Sequence, residues 1–353
     1  MQKTMETSKL RVFTAFSGYD SQCLALNRLP IDYELVGWSE IDKYAIKAHN
    51  CLFPSEADKN FGDISKIDWS QVPLFDLFTY SSPCQDFSQA GLQRGGDAGS
   101  GTRSSLLWEC ERAIAYKRPR YLLMENVSAL VSAKFIKLFH KWLLTLEGYG
   151  YKSYSKVLNA KDFGVPQNRE RIFVVSIRVD DKSAWESTQY HFPKEIPLTK
   201  RLADVLENEV DESYYLSDEK VASLLKETEK QRNKGNGFGF SPRGTDALAT
   251  AITTREGSRK CDNFVEVIAN LQPDNNWQGS VIRQQNIRKL TERECFRLMG
   301  VDDSDIDIIM SSHISKTRLY QLAGNSIVVN VLEAIFRKLF IDKDSDDGQL
   351  LLF

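Results

Sequence analysis

The sequence of 353 residues contains no long apolar run, and this absence argues against a membrane-spanning protein. No stretch reaches the roughly 18 uninterrupted apolar residues that a bilayer crossing requires. The N-terminal segment MQKTMETSKL also has no apolar run of the kind found in signal peptides. We therefore expect a cytoplasmic protein without a membrane partner.

The sequence also lacks cysteine motifs and has a small net charge. The six cysteines form no Cys-x-x-Cys pair and no Cys/His spacing typical of zinc, so we interpret them as free thiols and expect no metal site. The net charge of −2 argues against a protein that coats nucleic acid electrostatically. With 42% apolar and 27% charged residues, the composition is that of a globular protein with one large or two ordinary domains.

The near-neutral total conceals a local difference in charge. Residues 186–230 contain 6 Lys/Arg and 11 Asp/Glu, whereas residues 231–290 contain 9 and 5. The segment from Ile341 onward is acidic again. Such a run can be a chance fluctuation on a solvated face, or the electrostatic footprint of a nucleic-acid partner, and charge alone leaves both open.

The first 180 residues alternate short apolar runs with helical stretches, which predicts a mostly parallel α/β sheet. An antiparallel hairpin is predicted at its end, from 153–158 to 171–177. The other predicted strands are 10–15, 34–38, 75–80 and 121–124, and the predicted helices are 21–27, 42–50, 104–116 and 133–147.

The pattern changes after this region. Residues 182–288 are polar and turn-rich, with GNGFGFSPRG and QPDNNWQG as the strongest loop signals. Regularity returns at 290–300, an amphipathic helix with Thr291 as N-cap and Glu294 at the capping-box position, and another helix is predicted to begin near Ser326. The sequence has no internal repeat. We therefore predict a discontinuous domain, 1–181 with 289–353, that encloses a smaller irregular domain at 182–288.

Three separate signals predict a nucleoside-sized crevice at the carboxyl ends of the strands. Gly18 follows the first strand at a turn before a helix, where backbone can approach a ligand closely. Glu40 ends the second strand and can accept hydrogen bonds from ribose hydroxyls. Asp63, after the segment NFG, can accept from an adenine amino group. Each alone is also typical of an ordinary turn or a helix cap.

The segment FDLFTYSSPCQDFSQAG (75–91) ends an apolar strand in Pro83, Cys84 and Gln85. Most cytoplasmic cysteines are small buried apolar residues. Cys84 departs from that pattern because proline precedes it and the polar loop RGGDAGSGTRSS follows it. This arrangement predicts a nucleophile beneath a closing loop.

Two further segments bring charged groups toward this cysteine. The strand 121–124 delivers Glu125 at its carboxyl end, where a carboxyl can take part in proton transfer. The segment QNRER places Arg169 and Arg171 two residues apart, so that one of them can point into the same pocket. Arginines near glutamates are also common structural salt bridges.

Four motifs in order, Ser-Pro-Cys-Gln, Met-Glu-Asn-Val, Gln-x-Arg-x-Arg and a C-terminal Gly-Asn-Ser, resemble those of the C5-cytosine DNA methyltransferase family. The resemblance covers residues 10–340 except 182–288. The local sequences SQAGLQRG and GSGTRSSLLWE are similar to those of bacterial restriction-modification enzymes. The resemblance implies a Rossmann-like methyltransferase fold with a mixed, mostly parallel sheet, and a smaller target-recognition domain.

The resemblance also implies catalytic roles. Cys84 would attack C6 of a cytosine flipped out of the duplex, Glu125 would contact N3, and Arg171 would hold O2. The methyl group would come from S-adenosyl-L-methionine, which leaves S-adenosyl-L-homocysteine as the product. Residues that match supporting catalytic positions are Pro83, Gln85 and Arg169. Residues that match cofactor positions are Phe16, Gly18, Glu40, Ile41, Asp63, Ile64, Asn325 and Ser326.

Three positions depart from the family pattern. Asp20 stands where the first motif usually has a second glycine, so the cofactor loop must follow a different path. Ile41 stands where an aromatic residue often stacks on adenine, and it still offers apolar contact. Ala90 stands where some relatives carry a polar residue that fills the space left by the flipped base, a role that Gln89 or Gln93 can take.

The resemblance assigns residues 182–288 to target recognition, which is where the basic surplus lies. The segment ALATAITTREGSRK (247–260) resembles the part that enters the major groove, with phosphate contacts for positioning and a few side chains for base reading. Lysines and arginines on loops are also commonly idle. The predicted DNA-binding residues are Thr253, Arg255, Arg259 and Lys260, together with Gln89, Ala90, Gln93 and Arg94 of the loop.

We expect double-stranded DNA as the partner of a monomeric enzyme in a bacterial cell or a phage-infected host. A cognate restriction endonuclease would be a functional rather than a physical partner. The alternatives are a tRNA cytosine methyltransferase and a non-catalytic DNA-binding homologue. A nicotinamide-dependent oxidoreductase would need a fuller glycine fingerprint than FSGYDSQ supplies.

Overall fold

A computed structural model describes residues 9–82, 106–235, 239–258, 263–267 and 286–342. The chain forms two compact units, the first of residues 1–163, 170–196 and 327–353 and the second of residues 164–169 and 197–326. These boundaries follow packing. The division at 182 and 288 concerns function and stays a prediction.

The secondary structure follows the chain in a βα alternation as far as α4 and becomes less regular afterwards. In order, the elements are β1 (Leu10–Ala15), α1 (Ser21–Asn27), β2 (Tyr33–Ser39), α2 (Lys43–Leu52), β3 (Leu77–Tyr80), α3 (Leu107–Lys117), β4 (Tyr121–Val127), α4 (Ile136–Gly148), β5 (Tyr151–Asn159), β6 (Gln167–Asn168), β7 (Glu170–Arg178), α5 (Asp218–Asn233), β8 (Arg243–Gly244), β9 (Ala249–Thr250), β10 (Phe264–Glu266), β11 (Ile287–Lys289), α6 (Glu292–Leu298), α7 (Asp303–Ser311), α8 (Lys316–Asn325) and α9 (Val329–Phe340).

The first unit contains a six-stranded sheet of order β2-β1-β3-β4-β7-β5. Strands β2, β1, β3 and β4 are parallel, and β7 is antiparallel to both of its neighbours, β4 and β5. The predicted mixed, mostly parallel α/β fold is therefore confirmed. Strand β1 lies between β2 and β3, so the order reverses there, and in open α/β sheets such a switch point is where ligands bind.

The sheet strands read as apolar runs because helices cover them. The residues of β3 are all buried, and Phe13 of β1 lies among aromatic rings with centroid separations of 5.3 Å to Phe75 and 5.4 Å to Trp69. Helices begin at polar caps: the Asp42 carboxylate accepts from the backbone N–H groups of Tyr44 and Ala45 at the start of α2. Both features follow from parallel-sheet burial and N-capping.

The second unit contains short strands and helices α5 to α8. Strands β8, β10 and β11 form one small sheet, and β6 pairs with β9 in another. The capping box predicted for Thr291 and Glu294 is present at the start of α6. The Glu294 carboxylate also accepts from both terminal nitrogens of the buried Arg288, at 2.6 and 2.8 Å.

Two predictions about secondary structure were wrong. Residues 182–288 are not irregular throughout, because they contain the 16-residue helix α5. Its apolar face is short, because Val221 is its only buried residue and Leu224 packs only partly against the same small core. Ser217 caps its first turn. The last helix begins at Val329 rather than near Ser326, which is extended (ψ 163°) and follows the end of α8.

One stretch, Lys316–Phe340, is long and apolar enough by composition to cross a membrane. It comprises α8 and α9 with a break between them, and 61% of its apolar window is buried inside the protein. It is thus a pair of core helices by packing. Within the described ranges, no group of three His, Cys, Asp or Glu side chains is arranged to hold a metal ion.

Candidate functional site

The ends of β1 and β2 come together through a hydrogen bond between two predicted cofactor residues. The Gly18 backbone N–H donates to Glu40 Oε2 at 3.0 Å, and Glu40 Oε1 accepts from the N–H groups of Ile41 and Asp42 at 2.8 and 2.9 Å. Phe16 and Gly18 both have left-handed backbone, with φ of 54° and 61°. The Glu40 carboxylate therefore holds a sharply turned loop at the switch point of the sheet.

Asn60 connects the Glu40 backbone to the segment that carries Asp63. Its side-chain oxygen accepts from the N–H groups of Glu40 and Gly62, and its amide nitrogen donates to the Glu40 carbonyl. The Ser65 hydroxyl donates to Asp63 Oδ1 at 2.7 Å and lowers the pKa of Asp63. Ile64 is buried in the core. Sequence reasoning did not single out Asn60, since it precedes a loop and belongs to no recognised motif.

The chemistry of this edge fits an adenosine-type cofactor. The Glu40 and Asp63 carboxylates are acceptors for ribose hydroxyls and an adenine amino group. A Cβ added to Gly18 would meet nothing within 4 Å, so the space in front of the loop is open. Ile41, with 70% of its surface exposed, offers an apolar face beside Glu40. These four residues would hold the cofactor.

Glu125 and Arg171, the predicted catalytic pair, meet at the adjacent strands β4 and β7. Arg171 pairs with Val127 in the antiparallel ladder, so its side chain lies on the same face as that of Glu125. Arg171 Nε is 3.2 Å from Glu125 Oε1. The hydroxyl of Ser81, just after β3, donates to Glu125 Oε2. The carboxyl is nearly buried and is held from both sides.

Asn126 fixes the backbone that leads to the predicted nucleophile. Its Nδ2 donates to the Ser82 carbonyl at 3.2 Å, and its Oδ1 accepts from the Val127 N–H. Neither Ser81 nor Asn126 received a role from sequence reasoning, although Asn126 lies within the Met-Glu-Asn-Val motif and Ser81 immediately precedes the Ser-Pro-Cys-Gln motif. The positions Pro83, Cys84, Gln85, Gln89, Ala90, Gln93 and Arg94 lie outside the described residues.

The cysteines that the structure describes are free thiols, as predicted for all six. Burial raises the pKa of the Cys23 and Cys110 thiols well above the usual value, which disfavours the nucleophilic thiolate. Cys295 is also buried, and Cys51 is half-buried. All four lie in helices, whereas the predicted nucleophile follows strand β3.

Arg169, predicted to support catalysis, lies in the second unit and donates to three backbone carbonyls. Its terminal nitrogens contact the oxygens of Ile252 at 2.6 Å, Gly324 at 3.1 Å and Ser326 at 2.8 Å. Gln167 acts similarly: its side chain donates to the Leu298 carbonyl and accepts from the Ile252 N–H. The arginine that contacts Glu125 is therefore Arg171, two residues farther along the segment.

The predicted DNA-binding residues Thr253 and Arg255 lie in a turn of the second unit, residues 252–258, which side-chain hydrogen bonds stabilise. We call it the braced turn. The Thr253 hydroxyl accepts from the Arg255 N–H, and the buried Asn263 joins Thr250 to Glu256 through side-chain hydrogen bonds. Arg255 is exposed, Thr253 is half-buried, and Arg259 and Lys260 lie outside the described residues. The role of Asn263 was not foreseen because it depends on contacts across the turn.

Asn325 and Ser326 end helix α8 in the second unit, where Asn325 is exposed and Ser326 is half-buried. Gly324 precedes them and packs closely on the turn: an added Cβ would lie 2.4 Å from the Thr253 carbonyl carbon. The predicted cofactor-binding role of both residues stays a prediction.

Comparison with known proteins supplies the identification. The model of the C-5 cytosine-specific DNA methylase family matches residues 10–341. This chain belongs to that family. The type II methyltransferase M2.ScrFI of Lactococcus lactis subsp. cremoris is 37% identical, over 94% of this chain and 99% of its own length. The orphan methyltransferase M.SPRI of Bacillus phage SPR is 31% identical, over 96% and 100%. The chain is thus a DNA (cytosine-5-)-methyltransferase of the restriction-modification type, as the motifs predicted.

Solved structures agree with the fold of the methyltransferase. The Entamoeba histolytica methyltransferase EhMeth superposes with a TM-score of 0.71 at 18% identity, covering 94% of this chain and 98% of the other. The S. pombe Dnmt2 methyltransferase gives 0.66 at 20% identity, covering 93% and 97%. At these identities the likeness concerns the fold alone.

Proposed function

We propose that the methyltransferase acts on a cytosine flipped out of double-stranded DNA, with Cys84 as the nucleophile. The observation that supports this most is the held carboxyl of Glu125 at the end of β4, next to the end of β3 from which the chain continues to Cys84. A base within the stack is inaccessible, so attack at C6 requires extrusion of the nucleotide.

The chemical step begins when the Cys84 sulfur forms a bond to C6 of the cytosine. Glu125 would hold or transfer a proton at N3, and Arg171 would donate to O2, so that electron density moves to C5. Bound S-adenosyl-L-methionine would supply an electrophilic methyl group for C5. Loss of the C5 proton and elimination of the Cys84 thiolate then restore the aromatic ring. Covalent activation is needed because cytosine C5 alone is a weak nucleophile.

The cofactor and the DNA would be bound by different residues. Gly18, Glu40, Ile41 and Asp63 would hold the cofactor, with Phe16, Ile64, Asn325 and Ser326 completing its site. Residues 182–288 would recognise the target, and Thr253 and Arg255 would contact DNA from the braced turn. Pro83 and Gln85 would support the catalytic turn.

The decisive experiment is a covalent trap with duplex DNA that contains 5-fluorocytosine, in the presence of S-adenosyl-L-methionine. The wild type should form a denaturation-resistant adduct, and Cys84→Ser should form none. Cys51→Ser, which changes a half-buried cysteine elsewhere, is the matched control and should form the adduct. An adduct with Cys84→Ser, or none with the wild type, would contradict the proposal.

We propose a DNA-protection role for a monomeric enzyme, alongside a cognate endonuclease or within a phage. Bisulfite sequencing of DNA from a host that expresses the chain should reveal methylation at one defined sequence. Methyl transfer to tRNA but not to duplex DNA in a radiolabel assay would contradict the choice of DNA.

A further inference from the structure

Asp20 is a buried carboxylate in left-handed backbone, at the position where the motif resemblance implies a second glycine. Its φ and ψ are 67° and 60°, and its side chain is fully buried. Glycine adopts this conformation freely, whereas aspartate does so only at a steric cost. Asp20 lies two residues after Gly18, whose N–H contacts Glu40. Other contacts must offset the cost of holding Asp20 in this backbone conformation.

The structure contains those contacts. Asp20 Oδ1 accepts from the Cys23 N–H at 3.1 Å and so caps helix α1. Asp20 Oδ2 accepts from the Thr14 hydroxyl at 2.8 Å. The same oxygen is 3.6 Å from His49 Nε2. These partners belong to β1, α1 and α2, three separate elements around the switch point.

His49 is itself fixed in place. It is fully buried, and its ring stacks on Trp38 of β2 with a centroid separation of 3.7 Å. Trp38 is two residues before Glu40, so this stacking joins the His49 ring to strand β2, which leads to the proposed ribose acceptor. The backbone closes the loop as well, because the Asp20 N–H donates to the Ser17 carbonyl at 2.8 Å.

We infer that Asp20 is a positioning residue for cofactor binding. Its contacts hold the loop of residues 16–20 in one conformation opposite Glu40, whereas a glycine at this position would leave the loop more flexible. This inference rests on the proposed cofactor site. A preorganised loop does not have to be ordered when the ligand binds, so its locking should raise affinity. Asp20 itself need not touch the cofactor.

The test is calorimetric titration of the apo protein with S-adenosyl-L-homocysteine, paired with steady-state kinetics. Asp20→Ala removes all three contacts and should weaken binding about tenfold or more, since the loop must then be ordered on binding. The KM for S-adenosyl-L-methionine should rise far more than kcat falls. Asp20→Asn should restore binding to within about threefold, because asparagine tolerates left-handed backbone and can cap the helix.

Thr14→Val is a milder second variant for the case that Asp20→Ala does not fold, and it should weaken binding about threefold by removing one hydroxyl partner. Ser217→Ala removes the N-cap of α5 in the second unit and should lower the melting temperature without changing S-adenosyl-L-homocysteine affinity. Wild-type affinity in folded Asp20→Ala or in Thr14→Val would overturn the inference, as would failure of Asp20→Asn to restore binding.

Glu40→Ala separates this inference from the proposed cofactor site. If Glu40→Ala binds S-adenosyl-L-homocysteine as the wild type does, the site itself is misplaced and the inference fails with it. If Glu40→Ala loses binding while folded Asp20→Ala keeps it, only the positioning role is wrong. Loss in both, with restoration by Asp20→Asn, supports both.

Discussion

The edge of the central sheet and the braced turn at 252–258 place their polar side chains by different means. At the sheet edge, Glu125 and Arg171 meet because neighbouring strands put them on one face. In the second unit, the turn depends on Arg169 and Gln167, which contact residues 83 to 157 positions away in the chain. Strand pairing therefore positions the side chains of the first region, whereas side-chain hydrogen bonds to distant backbone groups hold the second.

The difference also predicts what a substitution will change. A side chain at the sheet edge can be altered while the ladder beneath it remains intact, so activity should change and stability should not. A buried side chain that satisfies distant carbonyls is part of the packing, and its removal should change stability first. Substitutions in the two regions should therefore separate effects on activity from effects on stability.

The largest effect is expected for Glu125→Gln. The amide keeps the shape, its oxygen can accept from Arg171 and its NH2 group can donate to the Ser81 hydroxyl, but it cannot transfer a proton. We expect kcat to fall by about 10²–10⁴, while the free energy of unfolding changes by less than about 1 kcal/mol. Single-turnover kinetics and urea unfolding measure the two quantities. Glu34→Gln, at an exposed site on β2, should change neither. A large stability loss in Glu125→Gln would break the comparison.

Arg169→Ala should reverse this order of effects. The buried Ile252 carbonyl and the part-buried carbonyls of Gly324 and Ser326 lose a donor, so the free energy of unfolding should fall by about 3 kcal/mol, at about 1 kcal/mol for each group. Urea unfolding and hydrogen exchange of residues 252–257 would report it. The control is Arg337→Ala, an exposed i,i+4 pair with Glu333 that should cost less than about 1 kcal/mol. An equal loss of unfolding free energy in both variants would contradict the stabilising role of Arg169.

Gly324→Ala tests the close packing of α8 on the turn. Its Cβ would lie 2.4 Å from the Thr253 carbonyl carbon, a backbone atom that cannot rotate away. We expect a destabilisation of about 1–3 kcal/mol from overpacking. Gly148→Ala in α4 is the matched control, since its Cβ meets nothing within 4 Å and it should stabilise by about 0.4–1 kcal/mol. Melting curves of the two variants should therefore shift in opposite directions.

Arg255→Ala should have the smallest effect, confined to DNA binding. Loss of one phosphate contact would reduce the slope of log K against log salt by about 0.9 and weaken binding several-fold at low salt. Fluorescence anisotropy over a salt series with duplex DNA measures both. Arg337→Ala removes an arginine from the first unit and should leave the slope unchanged. If the two variants give the same slope, the turn does not contact DNA phosphate.

The limits of sequence reasoning follow the same contrast. Strand ends at the sheet edge could be predicted from apolar runs, so the positions of Glu40 and Glu125 were anticipated. Helix α5 was missed because its apolar face is short: Val221 is its one buried residue, and Leu224 packs only partly against the same small core. Spacing alone could not separate Arg169 from Arg171, because side chains two residues apart on a strand share one face; only the family resemblance assigned the O2 contact to Arg171.

By itself, the sequence determined the α/β class, the family and the motifs that carry the chemistry, since periodicity and short motifs are local properties of the chain. Tertiary structure decided which arginine contacts Glu125, what Asn60, Ser81 and Asn126 hold, and how Asp20 occupies a position that usually requires glycine. The physical reason is that these outcomes depend on hydrogen bonds and ion pairs between different strands, helices and turns. Such bonds exist only once the strands and helices have packed.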